Sequence, residues 1–245
     1  LDMKISTLVI SSALTMASFF VSSSASDDVS SQIKQSIAAA GKAVKVPNSN
    51  AVVVFEHSGQ VVLITDNPRY VVKGQLFDMW ENTKLENSGE LKASSLTIPL
   101  DKLPLDDSQI FKITTNQNSD KTLTVFINPF DKASPNQIEV ISKYASSYQI
   151  DWVFVSVEGT KEDVDQLLKL SCVVSNEQAN DILAMFIQNN ISIPNKHCQK
   201  ESVIKTFAFT RFLNIHTLPT LIGSNDVVSQ GMPQQFISWL AKNME

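Results

Sequence analysis

A chain of 245 residues with 43% hydrophobic content can bury the core of one large domain or two small ones. Its formal charge of −5 supplies no basic footprint, which excludes nucleic acid and anionic lipid as partners held by charge. There is no phosphate-binding loop, no dinucleotide fingerprint and no internal repeat.

Lys4 precedes an apolar run from Ile5 to Val21 that is diluted by Ser and Thr, and Ser23-Ser24-Ala25 follows. A basic start, a short apolar stretch and small residues predict a secretory signal over residues 1–25, cleaved after Ala25, in preference to a membrane anchor. A short helix is predicted from Val29 to Ala40, with Ile33 and Ile37 on one face. Three β-branched runs come next: Ala51–Phe55, Gln60–Ile64 and Arg69–Lys73. The turns between them are His57-Ser58-Gly59 and Asp66-Asn67-Pro68. A helix and a three-strand meander over residues 26–80 form a domain that is marginal alone and has open sheet edges. Residues 81–107 are polar, interrupted by Pro99 and Pro104, and predict a stiff, partly extended linker.

From residue 108 to 245 strands and helices alternate. Gln109–Thr114 and Leu123–Ile127 read as strands, and Asn128–Ser134 as a turn opening a helix from Pro135 to Tyr148. Asp151–Val157 is the next strand. Thr160 caps a helix to Leu170 and Ser175 caps another to about Asn189, with Asp163 and Gln178 at the capping-box positions. A further helix spans Gln199–Phe212, followed by Ile215–Ile222 with Pro219, a hairpin through Val227–Ser229 and a C-terminal helix. Met185, Phe186, Phe207, Phe209 and Phe212 fall at helical spacings and are expected in the core. The class is α+β, with a helical insertion in the second domain.

In a secreted protein Cys172 and Cys198, the only cysteines, are expected to form a structural disulfide. Closing a loop of that length stabilises by roughly 3–4 kcal/mol. Neither cysteine is expected at a helix N-terminus, where a catalytic thiol would have its pKa lowered. Cys172 follows the helix end Leu167–Leu170, and Cys198 follows Pro194-Asn195-Lys196-His197.

The strand Leu123–Ile127, its turn and helix, and the later Pro219 loop resemble the catalytic domain of the DsbC/DsbG family of periplasmic disulfide isomerases, a thioredoxin-like fold. In that family Cys-x-x-Cys follows the strand and a cis-proline faces it. Here the four positions are Asp131-Lys132-Ala133-Ser134. The stretches Ser58–Asp66 and Tyr70–Asp78 resemble the family's N-terminal dimerisation domain, and imply a homodimer with an apolar cleft between two arms. The resemblance covers roughly residues 29–80 and 109–242. It implies a cis Pro219, with Leu218 before it making apolar contact; read without the resemblance, Leu218 is a loop residue packed against Phe130. It also implies that Cys172 and Cys198 match the isomerases' second, structural disulfide. The family's linker is largely helical, and the prolines here depart from that.

A hydroxyl cannot exchange with a disulfide and a carboxylate cannot form a mixed disulfide, so Ser134 and Asp131 exclude dithiol chemistry at this position. Helix capping accounts for them: Ser134 as N-cap, Pro135 at the first helical position, Gln137 closing the box and Asp131 near the dipole. The other readings are partner binding by Asp131 and Ser134, or hydrolysis with His216 as base, against which stands the lack of a nucleophile elbow. His57 and His197 lie in turns without a second ligand at useful spacing, so neither a metal nor a cofactor is expected.

The leading expectation is a redox-inactive, DsbC-like periplasmic homodimer. It would act as a chaperone or assembly factor for unfolded or secreted clients, with no stable membrane insertion after signal cleavage. Redox-inactive thioredoxin-like proteins also occur in conjugative type IV secretion assembly, which supplies a context. Two alternatives stand beside it: a divergent thiol:disulfide interchange protein using Cys172 and Cys198, and a structural subunit of a cell-envelope complex.

Overall fold

The computed structural model describes residues 42–46, 49–55, 60–65, 67, 69–103 and 107–244. The expected signal over 1–25, the helix Val29–Ala40 and the His57–Gly59 turn lie outside the described residues.

The first sheet is a four-stranded antiparallel meander of β1 (Lys42–Lys45), β2 (Val52–Phe55), β3 (Val61–Ile64) and β4 (Val71–Gly74), paired in that order. Register aligns Val44 with Val53, Val53 with Leu63 and Leu63 with Val72. Val53, Phe55 and Val61 form its buried face, closed by Leu85 and Leu91. β1 was not expected: four residues with a lysine at each end carry little strand signal, and pairing with β2 is what orders them.

The linker is more structured than an extended spacer. β5 (Leu76–Asp78) and β6 (Thr83–Leu85) form a hairpin. The Asp78 carboxylate accepts from Trp80 N at 2.9 Å and Glu81 N at 3.2 Å within its turn. A two-turn helix follows, α1 (Ser88–Ser94), whose N-cap Asn87 accepts from Gly89 N and Glu90 N. The chain then runs along the second sheet. Thr97 bridges Val227, Ile98 N donates to Asp226 O (2.8 Å), and Val228 N donates to Leu96 O (2.9 Å). Ile98 and Leu103 are buried there.

The second sheet has β7 (Lys112–Thr115), β8 (Thr122–Ile127), β9 (Gln149–Phe154), β10 (Thr220–Ile222) and β11 (Val228–Gln230), in the order β11-β10-β8-β9-β7. β8 and β9 are parallel and the other pairs antiparallel. The crossover between the parallel strands carries α2 (Ser134–Tyr144). Between β9 and β10 are inserted α3 (Lys161–Val174), α4 (Ala179–Ile187) and α5 (Lys200–Phe212), and α6 (Phe236–Asn243) follows the hairpin. A β-α-β unit beside an antiparallel hairpin and a closing helix is a thioredoxin-like arrangement, and the chain as a whole is α+β.

Strand alternation divides the core. Leu123, Val125 and Ile127 of β8 face a cluster with Ile138, Phe186 and Leu240 from α2, α4 and α6. Phe126 faces the other way, toward Phe209 and Leu213 and the linker residues Ile98 and Leu103.

Several boundaries differ from expectation. α2 stops at Tyr144, because Ala145 begins the turn into β9. α3 continues to Val174, since Leu167, Leu170 and Val173 keep presenting buried apolar positions, so Cys172 lies inside the helix. The Thr160–Asp163 capping box is formed. Ser175 is the C-cap of α3 rather than the N-cap of α4, which starts after Gln178 without a side-chain cap. Phe209 is buried, but Phe212 is 54% exposed and stacks on Trp80 with ring centroids 5.7 Å apart.

Candidate functional site

The turn at the carboxyl end of β8 is organised by Asn128, which is buried. Its Oδ1 accepts from Phe130 N (3.1 Å), and its Nδ2 donates to the Asp131 carboxylate (3.0 Å). Its backbone carbonyl accepts from Asp131 N at 3.2 Å and from the Ser134 hydroxyl at 2.5 Å. An asparagine bonding its own backbone two residues on is a recurrent turn device, and Asn-Pro after a strand is the sequence signal for it.

This bonding corrects the reading of Ser134. The residue at the N-cap position is Ala133, in αR conformation with no side-chain bond, and Ser134 is the first helical residue. At 1% exposure its hydroxyl needs an internal partner, and it finds one by donating back to the end of β8. Pro135 therefore occupies the second helical position, where it still removes no helical hydrogen bond.

Asp131, Lys132 and Ala133 are exposed. Partial burial of the Asp131 carboxyl, reinforced by the nearby Asp163 and Glu158 carboxylates, raises its pKa from the ordinary value. Asp163 behaves oppositely. Partial burial pushes it upward, but hydrogen bonds from Thr160 and the Ser156 hydroxyl outweigh that and hold it low.

The Leu218–Pro219 peptide is cis. Thr220 pairs with Phe126, so continuing the register by one residue sets Pro219 against Ile127, beside the turn. Gly231 N donates to Pro219 O at 2.8 Å and ties the loop to the hairpin. Leu218 packs with the cluster that contains Phe209 and Leu213, while Phe130 packs on the other cluster, edge-on to Phe186 at 6.1 Å. The expected Leu218–Phe130 packing is thus replaced by contacts on opposite faces of the sheet.

The fold brings the four residues Asp131–Ser134 and the proline loop to one end of the sheet, and it keeps His216 out of any pair with Ser134. The His216 ring lies 3.0 Å from Asn214 O, while the Ser134 hydroxyl is committed to Asn128 O. His197 pairs with Asp165 at 2.8 Å. Among the described residues no group of three or more His, Cys, Asp or Glu is arranged to hold a metal, and no helix is long and apolar enough to cross a membrane.

Cys172 and Cys198 are bonded to each other, with Cα atoms 5.0 Å apart, joining α3 to the residues just before α5. Cys198 lies two residues ahead of Lys200, the first residue of α5, so its setting at a helix start differs from expectation. Cys172 is buried in α3.

No family model matches this chain, and no curated protein matches it. Among solved structures it is similar to a disulfide interchange protein from Neisseria gonorrhoeae, with 16% identity over 55% of this chain and 96% of that one, and a TM-score of 0.46. It is also similar to Helicobacter pylori DsbG, with 12% identity over 74% of this chain and 90% of that one, and a TM-score of 0.36. The thioredoxin-like assignment rests on the strand order and the proline loop described above.

Proposed function

We propose that this is a redox-inactive, DsbC-like periplasmic protein that works as a dimeric chaperone or assembly factor for extracytoplasmic clients, in a context such as conjugative type IV secretion. One observation carries the reading. At the turn where the resembled isomerases hold a dithiol, this chain has an exposed carboxylate and a buried hydroxyl bonded to the backbone, and its two cysteines are bonded to each other elsewhere.

Dimerisation is supported by β4. All four of its residues are exposed, Val71 and Val72 each at 57%, on a strand at the end of its sheet, and Tyr70 just before it is equally exposed. An apolar edge strand is a template for pairing with another chain. The domain limits that go with this reading are a dimerisation unit over 26–80, a connector over 81–107 and a thioredoxin-like unit over 108–245. The experiment is reactivation of a scrambled-disulfide substrate in glutathione buffer, run beside suppression of aggregation of a chemically unfolded client. The expected result is no reactivation above buffer together with substoichiometric to stoichiometric suppression. Reactivation abolished by Cys172→Ser would overturn the reading and move the chemistry to the distal pair.

A further inference from the structure

Two units joined by a connector ordinarily move relative to one another unless a sizeable apolar interface holds them together. The segment from Leu76 to Leu103 departs from that expectation because it contributes side chains to both cores. Leu76 and Leu85, opposite each other in the β5–β6 hairpin, pack with Val53, Phe55 and Val61 of the first sheet, as does Leu91 of α1. Trp80, at the tip of the same hairpin, packs instead on the cluster of Phe126, Phe209 and Leu213 in the second unit. Ile98, Leu100 and Leu103 join that second cluster as well. One short hairpin therefore has its strands in one core and its tip in the other.

Hydrogen bonds stiffen the segment between these anchors. Asp78 Oδ1 accepts from Trp80 N and Glu81 N and so shapes the turn that presents the Trp80 ring. The other Asp78 oxygen accepts from the Ser94 hydroxyl, which ties the hairpin to the last turn of α1. Partial burial pushes the Asp78 pKa upward, but these bonds outweigh it and hold the carboxyl low. Beyond α1, Thr97 N donates to Ser94 O at 3.3 Å, and the chain at once pairs with the second sheet through Thr97 and Ile98. At the tip, Trp80 stacks on Phe212 of α5, and Glu81 is paired with Lys102 at 2.5 Å. The ion pair is solvent-accessible, so it adds less than the apolar contacts.

The segment thus meets the second unit in two places: at the Thr97–Ile98 pairing with the burial that follows it, and at the hairpin tip. With the first contact alone, the first sheet could swing about the residues between Leu91 and Thr97. The second contact removes that freedom. We propose that residues 76–103 are a rigid strut that holds the first sheet and the thioredoxin-like unit as one body, with Trp80 as the contact that blocks their relative swing. Trp80 acts here as a positioning residue, and Asp78 acts through it by fixing the turn. The proposal concerns a single chain, so its failure and the failure of the dimeric, redox-inactive reading are separate events.

The test is the distance distribution between spin labels at Lys45→Cys on the first sheet and Glu139→Cys on α2, both exposed, read by double electron–electron resonance. The full chain is used with its disulfide intact, and labelled chain is diluted into excess unlabelled chain so that only distances within one chain are measured. A single narrow distribution is expected for the parent. Trp80→Ala should broaden it about twofold or more, and Phe212→Ala, which removes only the stacking partner, should broaden it less. Near-UV circular dichroism checks that each variant is folded. If Trp80→Ala fails to fold, Phe212→Ala carries the test, because its ring is exposed and belongs to neither core. A broad distribution in the parent, or a folded test variant as narrow as the parent, overturns the proposal.

Discussion

Strands β4 and β8 are built from similar residues, Val71-Val72 in one and Leu123-Thr124-Val125-Phe126-Ile127 in the other, yet they have opposite environments. The two valines of β4 are largely exposed, while Leu123, Val125, Phe126 and Ile127 are fully buried. The difference lies in the layers. β8 sits between β10 and β9, with helices on one face and α5 with the linker on the other. β4 ends its sheet, with β3 as its one partner strand among the described residues. Apolar, β-branched composition sets the tendency to form a strand; the neighbouring layers decide whether that strand is satisfied within the chain.

The largest expected effect tests the buried side of this contrast. Trp152 of β9 is fully buried and donates from Nε1 to Thr115 Oγ1 at 3.2 Å. Trp152→Ala should cost about 3–5 kcal/mol through the cavity and the orphaned hydroxyl, measured by denaturant unfolding. Val72→Ala should stay within about 0.5 kcal/mol if measured at a dilution where the protein is monomeric. Equal costs would erase the contrast.

Next in size is the disulfide. The bond closes a separation of 26 residues, and Cys172→Ser with Cys198→Ser should remove about 3 kcal/mol of stability in the chain-entropy model. Far-UV circular dichroism at low temperature should stay unchanged, because α3 and α5 are also held by buried Leu167, Leu170 and Val203. A double variant as stable as the parent would mean the bond is dispensable to the fold, and would favour the interchange alternative.

The exposed side of the contrast is tested by charge. Val72→Lys places like charges on both copies of a β4 edge paired across a two-fold axis, and should weaken self-association about tenfold or more by sedimentation equilibrium. Thermal stability of the isolated chain should barely move. Unchanged self-association would place the dimer contact elsewhere, or show that there is none.

The buried strands were legible in the sequence because alternation and β-branching are local signals. Leu123–Ile127 and Asp151–Val157 announce themselves, the latter starting two residues earlier and stopping at Phe154 in the structure, as does the Thr160–Asp163 capping box. The missing dithiol is equally plain, since it needs only residue identity. The docking of Thr97 and Ile98 on the hairpin was hidden, because the pairing joins residues about 130 positions apart and no local pattern in a proline-containing linker announces it. The role of Ser134 was hidden for a different reason. The same Ser-Pro-x-Gln series serves a capped helix start, and only the burial of the hydroxyl under Asn128 O decides which way it points.

The smallest expected effect distinguishes the rim of the sheet from its interior. The raised Asp131 pKa means that the folded state holds this proton more tightly than the unfolded chain, whose carboxyl keeps its ordinary value of 3.8. Ionising the group therefore disfavours folding: stability is lost as the pH rises from 3.8 through the raised folded value, and the deficit is constant above it. Asp131→Asn removes the charge and keeps an oxygen to accept from Asn128 Nδ2. The variant should match the parent in Tm below pH 3.8 and exceed it slightly at pH 7. Asp226, also raised, is present in both proteins and cancels in the difference. A variant less stable at pH 7 would show that the ionised carboxylate is favoured at the helix start, as the dipole argument alone requires, and that the neighbouring Asp163 and Glu158 carboxylates are too well solvated to matter.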